Sequence, residues 1–155
     1  MKVSGHVELV LRDLSGKVKL RRQGSNIITR LGLWLFGSNA NPNTSDAEME
    51  YAALGSGTGA PVDTDTALGT EIAGSRTVAT GTSQRSQALT QLLGTMTVTW
   101  TFVITNPGPG TWNVNEVGLF NAATGPTMAA RFLTQGFVMA AADVLTIEWT
   151  VEYAG

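Results

Sequence analysis

The stretch that decides the fold is TMTVTWTFVIT, residues 95–105, in which every second residue is a large apolar one. The apolar positions are Met96, Val98, Trp100, Phe102 and Ile104. Threonines occupy most of the positions between them, so one face is apolar and the other is polar. Because successive side chains of a strand point to opposite faces of a sheet, this alternation predicts a long β-strand with one buried face.

The same alternation recurs at both ends of the chain. Residues 144–153 repeat it, with leucine, isoleucine, tryptophan and valine opposite threonine and glutamate. Residues 3–11 place apolar side chains and Gly5 on one face, and residues 13–16, Asp-Leu-Ser-Gly, supply turn residues before the pattern resumes. Residues 3–22 are therefore predicted to form a β-hairpin.

A helix is predicted next, because the apolar period changes after Ser25. Ser25 or Asn26 would cap the helix and Gly37 would end it. The apolar residues at helical spacing are Ile27, Ile28, Leu31, Trp34 and Leu35. Further strands are expected at residues 51–54, 112–121 and 127–134. A turn at 106–110, a short helical turn within 63–68 and an irregular or edge segment at 74–94 complete the assignment.

Short strands separated by glycine, proline and asparagine turns indicate a mainly β fold. The expectation is an antiparallel β-sandwich or a jelly-roll-like barrel with an N-terminal β-hairpin and one short helix. Its length of 155 residues suits a single domain. Residues 1–37 would supply the hairpin and the helix, and residues 50–155 would supply the sandwich core.

The composition argues against several classes of protein. The chain is 43% hydrophobic and contains no cysteine and one histidine, His6, so thiolate metal sites and centres with several histidines are excluded. A net charge of −2 argues against general nucleic-acid binding. No apolar stretch reaches the length of a membrane-spanning helix, and no secretion signal is expected. We therefore expect a protein that is not an enzyme and that uses no cofactor or metal.

Charge is distributed unevenly along the sequence. Residues 1–30 carry seven basic side chains and two acidic ones, whereas residues 31–155 carry three arginines, no lysine and ten acidic side chains. The basic end is expected either to be a solvated hairpin or to dock on an acidic surface. The candidate partner-binding residues are Lys17, Lys19, Arg21 and Arg22, together with Trp34 and Trp112, which lie outside the alternating apolar series.

Three other sets of residues could form binding or catalytic sites. The glycine-rich run at 55–59 lacks the lysine of a phosphate loop and is expected to be a structural turn. Acidic residues could offer oxygens to a cation but do not fit an EF-hand, and capping is the preferred interpretation; they are Asp46, Glu48, Glu50, Asp63 and Asp65. Glu116, Glu148 and Glu152 could serve as glycosidase acids, but a charged outer face that blocks aggregation is preferred.

Three parts of the sequence resemble small virion proteins of tailed bacteriophages. Residues 113–125, NVNEVGLFNAATG, followed by TMAAR at 127–131, resemble an "EVGLFNA…G…M.AR" signature. Residues 53–61, ALGSGTGAP, and 65–68, DTAL, resemble a block that precedes it, and residues 145–150, LTIEWT, resemble the closing strand. The likeness covers roughly residues 50–153.

The resemblance implies a non-enzymatic structural component of the virion, made in the cytoplasm of the bacterial host. The expected role is a capsid cement, or decoration, protein on the outer surface of the head, bound to the major capsid protein as an oligomer. A trimer is the assembly that the resemblance suggests. A tail, collar or baseplate adaptor is the close alternative, and a glycan-binding receptor module is the distant one.

Overall fold

The computed structural model describes residues 2–38, 49–80, 84–86, 95–125 and 127–154. Within them lie nine strands and one helix. The strands are β1 (Lys2–Arg12), β2 (Val18–Ile28), β3 (Tyr51–Gly55), β4 (Thr77–Val78), β5 (Gln84–Ser86), β6 (Thr95–Thr105), β7 (Trp112–Phe120), β8 (Met128–Met139) and β9 (Val144–Ala154); the helix is α1 (Arg30–Ser38). The mainly β fold with an N-terminal hairpin and one short helix is confirmed.

All neighbouring strands are antiparallel, in the order β4-β3-β7-β8-β2-β1-β9-β6-β5. The two ends of this order approach each other, because Thr80, just after β4, donates its backbone N–H to Thr101 of β6 at 2.9 Å. The sheet is thus nearly closed into a barrel. The predicted hairpin lies in the middle of the sheet order, with β1 against β9 and β2 against β8.

The alternating apolar residues fill the barrel. Trp100 and Phe102 of β6 lie beside Trp149 and Ile147 of β9, in register, and all four are buried. From β1, Val7, Leu9 and Leu11 join the same core. The register explains the burial, since paired residues of adjacent antiparallel strands point to the same face.

The helix begins later than predicted. Ser25 and Asn26 belong to β2, whose last two residues, Ile27 and Ile28, pair with β8. The N-cap is Thr29, whose hydroxyl oxygen accepts the N–H of Gly32 at 2.9 Å. Gly32 lies against β8, where an added Cβ would be 2.0 Å from the carbonyl oxygen of Ala129. A glycine inside this short helix therefore permits the close approach of helix and strand.

Other predictions need correction or fall outside the described residues. Residues 63–68 form a turn without a helix, and β8 continues five residues beyond the predicted end at Thr134. The segment predicted to be irregular or edge-like contains β4 and β5, which are the two outermost strands of the described sheet, so its edge position is confirmed. Predictions for Asp46 and Glu48, and for residues 81–83 and 87–94, lie outside the described residues.

Candidate functional site

The loop from residue 56 to residue 76 lies over the outer face of β3, β7 and β8. In β7, Val117 and Leu119 face the main core, and Phe120 faces the opposite way into a second, smaller core. Ala53, Leu68 and Met128 complete that second core. Leu68 comes from the loop itself, so the loop buries this outer face as a further layer.

Glu116 of β7 holds the loop in place from beneath. Its side chain is fully buried, and one carboxylate oxygen accepts the N–H groups of Gly57 and Thr70 at 2.9 and 3.0 Å. The other oxygen accepts the N–H of Gly69 at 3.1 Å and the Nε–H of Arg131 at 2.7 Å. Both oxygens are thus engaged, as a buried carboxylate requires.

Arg131 of β8 joins this glutamate to the loop. It forms an ion pair with Glu116 at 2.6 Å and another with Asp65 at 2.9 Å, and it donates to the carbonyl of Gly59 at 3.0 Å. Burial lowers the pKa of Arg131, but the carboxylates of Asp65 and Glu116 outweigh it and raise that pKa overall. The guanidinium is therefore permanently charged between two acids.

Asp65 closes the network from the loop side. Burial raises its pKa, but the hydrogen bonds from the Val62 N–H and from Arg131 more than compensate, so the pKa lies below 3.8. We call Glu116, Arg131 and Asp65, with the backbone N–H groups of the loop, the clasp. The clasp thus combines two carboxyl groups with one guanidinium, and three N–H donors face the buried carboxyl group of Glu116.

The glycines of the run at 55–59 are explained by this carboxylate. An added Cβ at Gly55 or at Gly57 would lie about 2.5 Å from the Oε1 atom of Glu116, closer than van der Waals contact allows. Gly59, by contrast, has open space around it. The run is thus a structural turn, as predicted, and it is shaped by a side chain 59 to 61 residues further along the chain.

A second arginine secures the far end of the loop. Arg76 lies over the ring of Phe120 at 3.8 Å, pairs with Glu71 at 2.6 Å, and donates to the carbonyls of Ala122 and Gly125. Gly118 leaves room for the Phe120 ring, which an added Cβ would meet at 2.7 Å. Glu116, Phe120 and Ala122 of the EVGLFNA block therefore contact the loop, while Val117 and Leu119 face the main core.

The prediction of Glu116 as part of a solvated outer face is wrong. The residue faces outward from the barrel, but the loop covers it, so it is buried with its charge paired. Glu148 and Glu152 are exposed on β9, as that prediction required. The structure therefore separates the three glutamates into one internal anchor and two surface charges.

The basic candidates have different surroundings along β2. Lys17, Lys19 and Arg21 are exposed, as predicted. Lys19 pairs with the buried Asp143, and Arg21 pairs with Glu8 at 3.4 Å. Arg22 is half-buried, and one of its NH groups donates to the carbonyl of Arg21.

The two candidate tryptophans lie at opposite ends of the barrel. Trp112 is the first residue of β7 and lies at the end of the barrel where β2 begins. It is half-buried and packs against the main core. Trp34 is on α1, at the end where β2 finishes, and is 58% exposed. Trp100 and Trp149 are core residues, as their alternating apolar series predicts, and His6 is exposed.

An apolar groove that the sequence did not predict lies beside α1. Its volume is about 520 Å³, and its walls come from the start of β1, the end of β2, α1 and the loop at 61–63. Ile27, Leu33 and Val62 line it and are each more than 40% exposed. We call these three residues with Trp34 the apolar rim.

Cation binding finds no support in the part of the chain that the structure describes, where no three acidic or histidine side chains converge on one point. Asp63 pairs with Arg30 at 2.9 Å, and Asp65 belongs to the clasp. No helix among the described residues is long and apolar enough to cross a membrane. Comparison with family models, with curated protein sequences and with solved structures finds no match to this chain.

Proposed function

We propose that this chain is a non-enzymatic structural protein of a tailed-bacteriophage virion, and specifically a cement protein that binds the assembled head shell. The observation that carries the proposal is the clasp. Two of the stretches that resemble phage virion proteins supply the charged groups of the clasp: Gly57 and Asp65 come from residues 53–68, and Glu116 and Arg131 come from residues 113–131. The motif thus has a structural task that a family of shell-binding proteins would need.

The loop adds a covering layer where a small domain has little core of its own. It buries a second apolar cluster and seals a carboxylate–arginine pair on the outside of the barrel. A domain exposed on the outside of a particle gains kinetic stability from such internal fastening, because local opening of a surface loop is where proteolysis begins. This supports a structural role for the signature rather than a chemical one.

The surfaces left uncovered are suited to contact with protein. Three side chains of the apolar rim line the groove, and the fourth, Trp34, follows Leu33 on α1; such exposed apolar patches mark interaction sites. The basic side chains of β2 lie on the same hairpin that forms one wall of the groove. A partner that is acidic beside an apolar ridge would match this combination.

The proposed mechanism is mass action. A protein that binds only the assembled shell stabilises it by RT ln(1 + [L]/Kd) at each site, and the gain is multiplied over the many equivalent sites of a shell. Trimerisation around local three-fold axes would let each copy add its contacts to those of its neighbours, so that avidity replaces one strong interface. The major capsid protein is the partner that this mechanism requires.

The test is to add tagged recombinant protein to shells stripped of it and to image the mixture by cryo-electron microscopy. The proposal predicts regular density over the icosahedral surface. Density confined to the portal or tail would replace the cement role with that of a tail, collar or baseplate adaptor. Absence of binding to either part would contradict the structural role, and titration with host polysaccharide would then test the glycan-binding alternative.

Matched variants locate the docking surface in the same assay. Replacing Leu33 and Trp34 with serine is expected to weaken attachment at least about tenfold, because apolar anchors at an interface are each worth on the order of 1–2 kcal/mol or more. Replacing Lys17 and Arg21 with serine should weaken attachment and reduce its salt dependence. The control replaces Lys2 and Arg12, which removes the same charge from the same hairpin. Equal losses in the two charge variants would exclude a specific basic docking surface.

A further inference from the structure

One edge of β2 has no described strand hydrogen-bonded to it for most of its length, although the Phe132 ring of β8 lies close to Gly24, where an added Cβ would be 2.8 Å from it. On one side β2 pairs with β1 from Val18 to Asn26, and on the other side it pairs with β8 only at Ile27 and Ile28. No other described strand pairs with that second side. Near the start of β2, the ion pair of Lys19 with Asp143 marks one end of this unpaired edge. We call residues 19–25 the open edge.

An open strand edge offers N–H and C=O groups to any strand that comes beside it. Pairing of two copies of this chain through the same edge would bring Lys19 and Arg21 of one copy against those of the other. The like charges oppose that arrangement. The positive charges of Lys19 and Arg21 favour an incoming strand with acidic side chains. The same charges therefore oppose self-association and favour an acidic partner.

Arg22 gives the open edge a specific contact. Its register with the buried Leu9 shows that it points to the inner side of the sheet, unlike Lys19 and Arg21. Its Nε is buried and has no hydrogen-bond partner among the described residues. Within those residues its guanidinium makes no ion pair, although Arg21, Arg30, Arg76 and Arg131 all do. A buried donor of a charged group without an acceptor is costly.

We propose that the open edge binds an extended acidic segment of another protein, which adds to β2 as a further strand and places a carboxylate on Arg22. Main-chain hydrogen bonds would supply affinity, and the carboxylate–guanidinium pair would set the register. The acidic chemistry follows from the edge itself; only the identity of the donor, a neighbouring virion subunit, rests on the proposed function.

The test uses a fluorescent, threonine-rich peptide of about seven residues, the length of the open edge, with two adjacent glutamates at its centre, so that one faces the side of Arg22 and the other faces the side of Lys19 and Arg21. We expect saturable binding that weakens at least about fivefold in Arg22→Gln, because the variant removes the charged partner of the carboxylate. Arg12→Gln, which removes one charge from the neighbouring strand β1, should bind as the wild type does. The same peptide with lysines in place of the two glutamates should not bind. Thermal unfolding of both variants establishes that they are folded.

Amide hydrogen exchange distinguishes strand addition from loose charge attraction. Bound acidic peptide should slow exchange at alternate residues of the open edge and leave β6 unchanged. Binding that is equal for both peptides, equal for Arg22→Gln and wild type, or without effect on exchange in β2 would overturn the proposal, as would no binding at all. The assay contains no shell, so its failure leaves the proposed function to the shell-binding experiment, and failure there leaves the open edge intact.

Discussion

The two outer faces of this barrel show opposite uses of charge. On the face formed by β3, β7 and β8, a loop covers the strands, and the charged groups beneath it are buried and paired within the clasp. On the face formed by β2, β1, β9 and β6, threonines and charged side chains are half-buried or exposed. Two glutamates that follow similar sequence patterns, Glu116 and Glu148, therefore have different roles. Glu116 is buried and holds the loop on the barrel, whereas Glu148 is exposed to solvent.

The largest difference between the two faces is expected when one glutamate on each face is replaced by the neutral glutamine. Glu116→Gln is expected to lower the free energy of unfolding by about 3–5 kcal/mol, because an amide turns an N–H group toward donors and leaves Arg131 under-compensated. Glu148→Gln should change the stability by less than about 0.5 kcal/mol. Denaturant unfolding measures both. Similar small values for the two variants would contradict the role of the clasp.

A smaller effect is expected from adding one methyl group to the loop. Gly57→Ala places a Cβ 2.4 Å from the Oε1 atom of Glu116, whereas Gly59→Ala places one in open space. Overpacking of this kind costs about 1–3 kcal/mol, so Gly57→Ala should melt well below the wild type. Gly59→Ala should melt close to it. If the two melting temperatures agree, the loop does not close on the carboxylate in solution.

The pH dependence of stability tests the role of Asp65 in the clasp. Its pKa is lower in the folded protein than the usual 3.8, so its contribution to stability is complete above that pH and is lost as the pH falls through the folded value. Asp65→Asn should therefore be less stable than the wild type near neutral pH, and the difference should shrink in acid. A stability difference that is constant from neutral pH to about pH 2 would show that the carboxylate is not linked to folding in this way.

The smallest effect is expected on the exposed face. Lys19 pairs with the buried carboxylate of Asp143, so Lys19→Ser should cost about 1 kcal/mol, while Lys17→Ser should cost less than about 0.5 kcal/mol. Both lysines are exposed and differ in this pairing. Equal denaturation midpoints for the two variants would place the ion pair among those that contribute nothing measurable.

The strands were predictable where alternation was long. The bounds predicted for β6 are those observed, and β9 ends one residue beyond the predicted end, because each strand has one buried face and one polar face along its length. The segment from Ser25 to Ile28 was not predictable, since its apolar residues fit a helix as well as a strand. Its pairing with β8, about 100 residues away in the sequence, decides between the two.

The clasp could not be derived from local pattern either. Alternation places Glu116 on the outer side of β7, but it does not reveal that a distant loop covers that side. A signal was present: Glu116 and Arg131 are single opposite charges within otherwise uncharged stretches, and the glycine run offers backbone N–H groups without side chains. What the sequence lacked was the contact between these segments.

Hydrogen exchange along the whole chain tests the account most directly, because it compares both faces in one experiment. We predict that the backbone amides of Gly57, Gly69 and Thr70, which donate to Glu116, exchange as slowly as the amides of the core strands. We also predict that alternate amides of residues 19–25 exchange quickly although they lie in a strand. Rapid exchange at the three loop amides together with full protection across β2 would contradict this account.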